Sequence, residues 1–191
     1  MLKTALTGLA FTILLWQPAA AQSQKNYIGI GLRSFSTDND DAGFNDGEDI
    51  EAKGIQVTFG QRLNRFWAWE LNFIRDSYDS LEFTSDNDID FQIDAEADQF
   101  GLSFIYSPNV YSDVTPYIRF GYAERDYKAD FTASRGRTEV SGSIDSFEAD
   151  DGTWWGLGLR ITGSRKFDII IEASRFTSDA EGVYIGPQFY F

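Results

Sequence analysis

Eight short segments of this chain alternate, residue by residue, between bulky apolar side chains and small or polar ones. A period of two belongs to strands whose faces meet different surroundings, and not to helices, whose apolar positions recur every three to four residues. The bulky positions of the first half are Ile28, Ile30, Leu32; Ile55, Val57, Phe59; Trp67, Trp69, Leu71, Phe73; and Phe100, Leu102, Phe104, Tyr106. The second half continues with Ile118, Phe120, Tyr122; Trp155, Leu157, Leu159, Ile161; Phe167, Ile169, Ile171, Ala173; and Val183, Ile185, Phe189, Phe191. An even number of such strands predicts an all-β, eight-stranded antiparallel up-and-down barrel.

The direction of the apolar face separates a secreted soluble barrel from a transmembrane one. An eight-stranded barrel has an interior only just wide enough for its own side chains. Three tryptophans and many Phe, Ile and Leu exceed that space, whereas the opposite face of Gly, Ser, Ala, Asn and a few charges fits it. The bulky face therefore points outward, where only lipid can cover it. Even positions 100 to 106 are apolar, while Asp88, Asp90, Asp94, Glu96 and Asp98 occupy even positions of the same stretch. A carboxylate facing lipid is costly, so the fourth strand leaves the membrane between Asp98 and Phe100 and continues upward without a register slip. The same change falls at Arg75 on the third strand and at Glu124 on the fifth. Strands three to six are expected to rise as a sheet above the membrane. Connections are expected to be short at 62–66, 107–115 and 163–166, and longer at 36–52, 76–98, 124–151 and 177–182.

The first residues read as a secretory signal. Lys3 precedes an apolar run from Ala5 to Trp16, and Ala19-Ala20-Ala21 supplies a small-residue cleavage site. Residues 1–21 are expected to be removed, leaving 22–191 as one outer-membrane barrel domain; the apolar run is too short for a membrane-spanning helix, which needs ~20 residues. The chain has no cysteine, hence no disulfide, thiolate metal site or acylation site. It has no histidine, which removes Ser-His catalysis and the commonest metal ligand. A formal net charge of −14 argues against nucleic acid. Neither an enzyme nor a cofactor is expected.

Arg33, Glu70, Arg119, Arg160, Asp168 and Glu172 lie on the inward face. Their mixed signs predict a lumen ion-pair network, because buried charges must be paired. Glu172 and Arg160 stand on neighbouring strands and are expected to pair. Of the 30 acidic residues, 26 fall in the four longer connections. Runs containing Asp38, Asp40 and Asp41, and Asp86, Asp88 and Asp90, invite a divalent-cation reading. They miss EF-hand spacing, since counting from Asp86 places Phe91 where Gly is needed and Ala97 where Glu is needed. No specific metal site follows, and a solvated acidic surface does.

A signal sequence, eight such strands and a terminal Phe191 resemble the small outer-membrane barrels of the OmpA/OmpX type over the mature chain. The resemblance implies that Val183, Ile185, Phe189 and Phe191 form the signal read by the barrel-assembly machinery. It further implies a monomer in the outer membrane of a Gram-negative bacterium, with adhesion, surface-defence or envelope-integrity roles. Expected partners are outer-membrane lipid, lipopolysaccharide and a host or envelope protein met through the loops. A narrow porin-like channel for ions or small solutes is the alternative. Pro187 cannot donate to a ladder, so a bulge is expected in the last strand.

Overall fold

The structure, a computed structural model, describes residues 26–37, 50–85, 89–108, 113–136, 138–176 and 180–191. The signal segment 1–21 lies outside the described residues. Nine strands follow in chain order: β1 (Asn26–Thr37), β2 (Ile50–Arg62), β3 (Trp67–Tyr78), β4 (Leu81–Thr84), β5 (Asp90–Tyr106), β6 (Val114–Arg135), β7 (Thr138–Thr162), β8 (Phe167–Phe176) and β9 (Ala180–Tyr190). Neighbours pair antiparallel, β3 pairs β5, and β9 returns to β1, so eight of them close a barrel with β4 set above it. Closure leaves the barrel wall no open edge, as a sheet in lipid requires.

Alternation holds around the wall. Ile28, Ile30, Leu32, Phe73, Phe104, Phe120, Trp155, Leu157, Val183 and Ile185 face outward, and Tyr27, Arg33, Gln56, Asn72, Arg119 and Glu172 are buried inside. Rings gather around the outer wall: Trp67 lies 4.9 Å from Tyr106, and Phe59 lies 6.0 Å from Trp69 and 6.5 Å from Phe191. The terminal Phe191 is not frayed. Its amide donates to the Asn26 carbonyl at 3.0 Å, beside the Tyr190 amide on Lys166 at 2.8 Å.

Three features differ from the sequence expectation. First, the stretches 76–98 and 124–151 are not long connections but mostly strand: they form the expected raised sheet, as the upper parts of β3, β5, β6 and β7 with the additional β4 between. β4 continues the line of β3 after a break at Asp79 and Ser80. There the Asp79 amide turns to the Glu51 carbonyl at 3.1 Å and the Ser80 hydroxyl donates to Asp94. The register against β5 steps by one residue across that break. Second, β6 and β7 meet at a tip where Gly136 takes φ 61, the left-handed region that suits glycine. Third, Pro187 makes no bulge. Its register with Ile169 is continuous with the rest of β8–β9, and on the β1 side the pairing skips Ile30 and Gly31 and resumes in the same register. The strands close up there because Gly31 faces Gly186. A Cβ on Gly31 would stand 2.3 Å from the Ile185 carbonyl oxygen.

Gly31→Ala is therefore expected to lower unfolding free energy by about 1–3 kcal/mol through overpacking. Gly29→Ala, whose Cβ would meet only ordinary contacts at 3.5 Å and beyond, should change it far less. Urea unfolding in micelles, followed by heat-modifiable gel mobility, distinguishes the two. Equal losses would contradict the close approach.

Candidate functional site: the barrel lumen and the raised sheet

The lumen holds four buried cations, Arg33, Arg119, Arg125 and Arg160, and four buried carboxylates, Glu70, Asp76, Asp168 and Glu172. Among the described residues these charges cancel. Arg119 on β6 is the hub: Nη1 lies 2.5 Å from Glu70 of β3, and Nε lies 2.8 Å from Glu172 of β8. Each carboxylate takes a second donor, Tyr27 on Glu70 at 2.7 Å and Tyr117 on Glu172 at 2.6 Å. Arg119 Nη1 also donates to Asn72 and Ser103, at 3.2 and 3.0 Å. The guanidinium packs over Trp154 at 4.6 Å.

Toward the turns, Asp168 faces Arg160 at 3.6 Å and Arg62 at 3.9 Å and accepts the Tyr190 hydroxyl at 2.5 Å. At the opposite end Arg125 lies 3.8 Å from Asp76 and donates to Gln99 at 3.0 Å. It packs 4.6 Å over Phe35 and 4.7 Å over Phe176, while Arg33 lies 4.8 Å over Phe35. Between Glu70, Tyr117, Arg119, Arg160 and Tyr184 the free space is about 10 Å³, room for roughly one water. Side chains fill the lumen at this level.

The six sequence-predicted lumen residues are all buried. The structure joins Glu70, Arg119 and Glu172, joins Arg160 with Asp168, and leaves Arg33 with no carboxylate within 4 Å among the described residues. The expected Glu172–Arg160 pair is corrected. Register sets Glu172 opposite Gly158 and Arg160 opposite Ile170, so Glu172 reaches across the lumen to Arg119 while Arg160 turns toward Asp168. Asp76, Arg125 and Trp154 were missed. Each is in phase with an inward neighbour, Asp76 with Asn72, Arg125 with Arg119 and Trp154 with Gly156; the first two fall in the acidic stretches 76–98 and 124–151, where acidity masks the inward phase.

Above the outward apolar band, the same face of β5 carries Asp90, Asp94 and Glu96, all exposed, and Asp98. Arg75 grips Asp98 with two bonds, at 2.7 and 3.2 Å, and holds that carboxyl below the usual range. Its guanidinium is thus engaged within the chain. Asp90 accepts from Thr84 at 2.7 Å. Asp38, Asp40, Asp41, Asp86 and Asp88 lie outside the described residues, among which no three potential ligands gather for a metal ion. Val183, Ile185, Phe189 and Phe191 line the outer face of β9 and its end.

The family model for the outer membrane protein beta-barrel domain matches residues 7–186. The chain belongs to that family. This barrel is accordingly an integral outer-membrane protein. Its fold is shared by Ail, the attachment invasion locus protein of Yersinia pestis, at 15% identity and TM-score 0.56, over 89% of this chain and 100% of that one. OprG from Pseudomonas aeruginosa is similar at 14% identity and TM-score 0.58, over 89% of this chain and 97% of that one. Neisserial surface protein A matches at 11% identity and TM-score 0.56, over 89% of this chain and 100% of that one. No curated protein matches significantly by sequence.

Removing Arg119 from this outer-membrane barrel leaves Glu70 and Glu172 uncompensated, so Arg119→Leu should cost about 3–5 kcal/mol. A double-mutant cycle of Arg119→Leu with Glu172→Leu should show coupling of at least about 1 kcal/mol, whereas Glu172→Leu with Arg160→Leu should be nearly additive. Urea unfolding in micelles measures both. Strong coupling to Arg160 with none to Arg119 would contradict the assignment.

Proposed function

We propose that the protein is a non-enzymatic, closed outer-membrane barrel that presents an acidic sheet at the cell surface for adhesion or envelope interaction. The observation that carries the reading is the contrast between its two ends: a lumen filled by a neutral charge network, and a long sheet raised on one side of the mouth. The raised sheet faces the exterior and the turns at 63–66 and 163–166 face the periplasm. Residues 1–21 direct export and are cleaved, and the barrel acts as a monomer. Filling of the lumen speaks against the narrow-channel alternative.

Charge narrows the partner. Ail is described in complex with sucrose octasulfate, a heparin analogue and thus a polyanion. Here the outer face of β5 bears Asp90, Asp94, Glu96 and Asp98, which favours cationic partners and repels sulfated chains. Divalent cations screen these carboxylates and link them to lipopolysaccharide phosphates without a specific metal site.

Cells displaying Asp90→Asn with Asp94→Asn and Glu96→Gln should adhere several-fold less to a polycation-coated surface, with unchanged yield of folded barrel. Undiminished adhesion would contradict the interaction role. Val183, Ile185, Phe189 and Phe191 act as the recognition signal for the barrel-assembly machinery. Phe191→Ser should therefore cut outer-membrane yield several-fold while refolding into detergent in vitro proceeds; unaltered yield in cells would remove that role.

A further inference from the structure

The buried charges of the lumen cancel in sum but not in place. Toward the turns, Glu70, Glu172 and Asp168 meet Arg119 and Arg160, with the partly exposed Arg62 also on Asp168. Toward the raised sheet, two buried guanidiniums, Arg33 and Arg125, face one carboxylate, Asp76. Arg125 takes it at 3.8 Å, and Arg33 has no ion pair among the described residues. One positive charge is left over, and it sits at Arg33.

Nothing in the protein wall meets that charge. Arg33 is 4% exposed, and its Nε and Nη1 find no hydrogen-bond acceptor among the described residues. Arg125 Nε lacks one too. Both guanidiniums pack over the ring of Phe35, at 4.8 and 4.6 Å, so the two cations share one apolar wall. On the β9 side the wall beside Arg33 is Gly182, where an added Cβ would stand 3.5 Å from Nε. Both oxygens of Asp76 are also without a donor. Buried water can complete the hydrogen bonds of donors and acceptors alike, but it does not cancel a charge. An uncompensated buried guanidinium is costly, and the low dielectric of its surroundings strengthens the pull on any ion of opposite sign.

We propose that the upper lumen binds one small monovalent anion, a halide or the carboxylate of a short acid, between Arg33 and Arg125 against the Phe35 ring. A single negative charge makes the upper layer neutral, whereas a dianion such as sulfate would overshoot. The ion enters from the mouth and goes no further, because the free space at the level of Arg119 is about 10 Å³. The site lies inside the closed barrel and is independent of any partner of the raised sheet.

The test uses the full barrel in zwitterionic micelles with chloride as the probe. Wild type and Arg33→Met are unfolded in urea at about 1 and about 100 mM chloride, so that general salt effects common to both cancel. For a dissociation constant near ~10 mM, the added chloride should lower the unfolding equilibrium constant of wild type roughly tenfold. Arg33→Met should show no such change, and at the lower chloride concentration it should be the more stable protein, since the uncompensated charge is gone. Arg33→Lys keeps the charge and should keep the response. Chloride NMR linewidth reads binding itself: wild type should broaden the resonance, acetate should compete the broadening away, and Arg33→Met should lack it. Equal salt responses in wild type and Arg33→Met, or broadening that survives the substitution undiminished, would overturn the site.

Discussion

Arg119 is the interaction on which the rest of this barrel depends. A narrow eight-stranded lumen cannot admit enough water to solvate a guanidinium, so the charge must be met by protein. Glu70 and Glu172 meet it from strands on either side, and Tyr27 and Tyr117 brace those carboxylates from β1 and β6. One side chain thereby ties β3, β6 and β8 together, with a further tyrosine reaching in from β1. Because the bridges span the lumen rather than run along it, the element that stabilises the barrel also fills it.

Small residues on the inward face make that arrangement fit. Gly158 leaves space for the Tyr117 ring, and Gly60 for the ring of Tyr27. Bulk is thus concentrated on the few inward side chains that carry the polar contacts, and on the outward face, where lipid takes up whatever size is presented. Lumen and lipid face are two consequences of the same alternation.

Much of this was legible in the sequence because a period of two states directly which residues share a face. The strand number, the outward direction of Trp155 and Phe120, and the inward direction of Arg119 and Glu172 all follow from it. The partner of a lumen charge does not, since it depends on register and on which neighbour lacks a side chain. Gly156 leaves the room beside the Glu172 carboxylate, where an added Cβ would stand 3.0 Å from Oε1, and so Glu172 reaches Arg119, whereas adjacency of β7 and β8 alone points to Arg160. The rise of the sheet above the membrane is legible too, but the acidity of 76–98 and 124–151 reads as connection, so Asp76 and Arg125 do not stand out as lumen residues although they continue the phase of Asn72 and Arg119. Pro187 misled for the opposite reason. A missing donor suggested a bulge, whereas the pairing toward β1 is omitted beside it and resumes in register across a pair of facing glycines.

The polarity reversal above the membrane then has a simple cause. Below Phe100 the outer face meets lipid and the inner face meets buried charge; above it the outer face of β5 meets water through Asp98, Glu96, Asp94 and Asp90, and the inner face carries Ile93 and Phe91. A continuous strand keeps its register across that boundary, so the side chains change in place of the backbone. The central claim is that the lumen is closed by its own charge network, and single-channel recording of the purified protein in planar bilayers tests it most directly. The account predicts insertion without conductance steps in the wild-type protein. Regular, reproducible steps from folded wild-type barrel would contradict it.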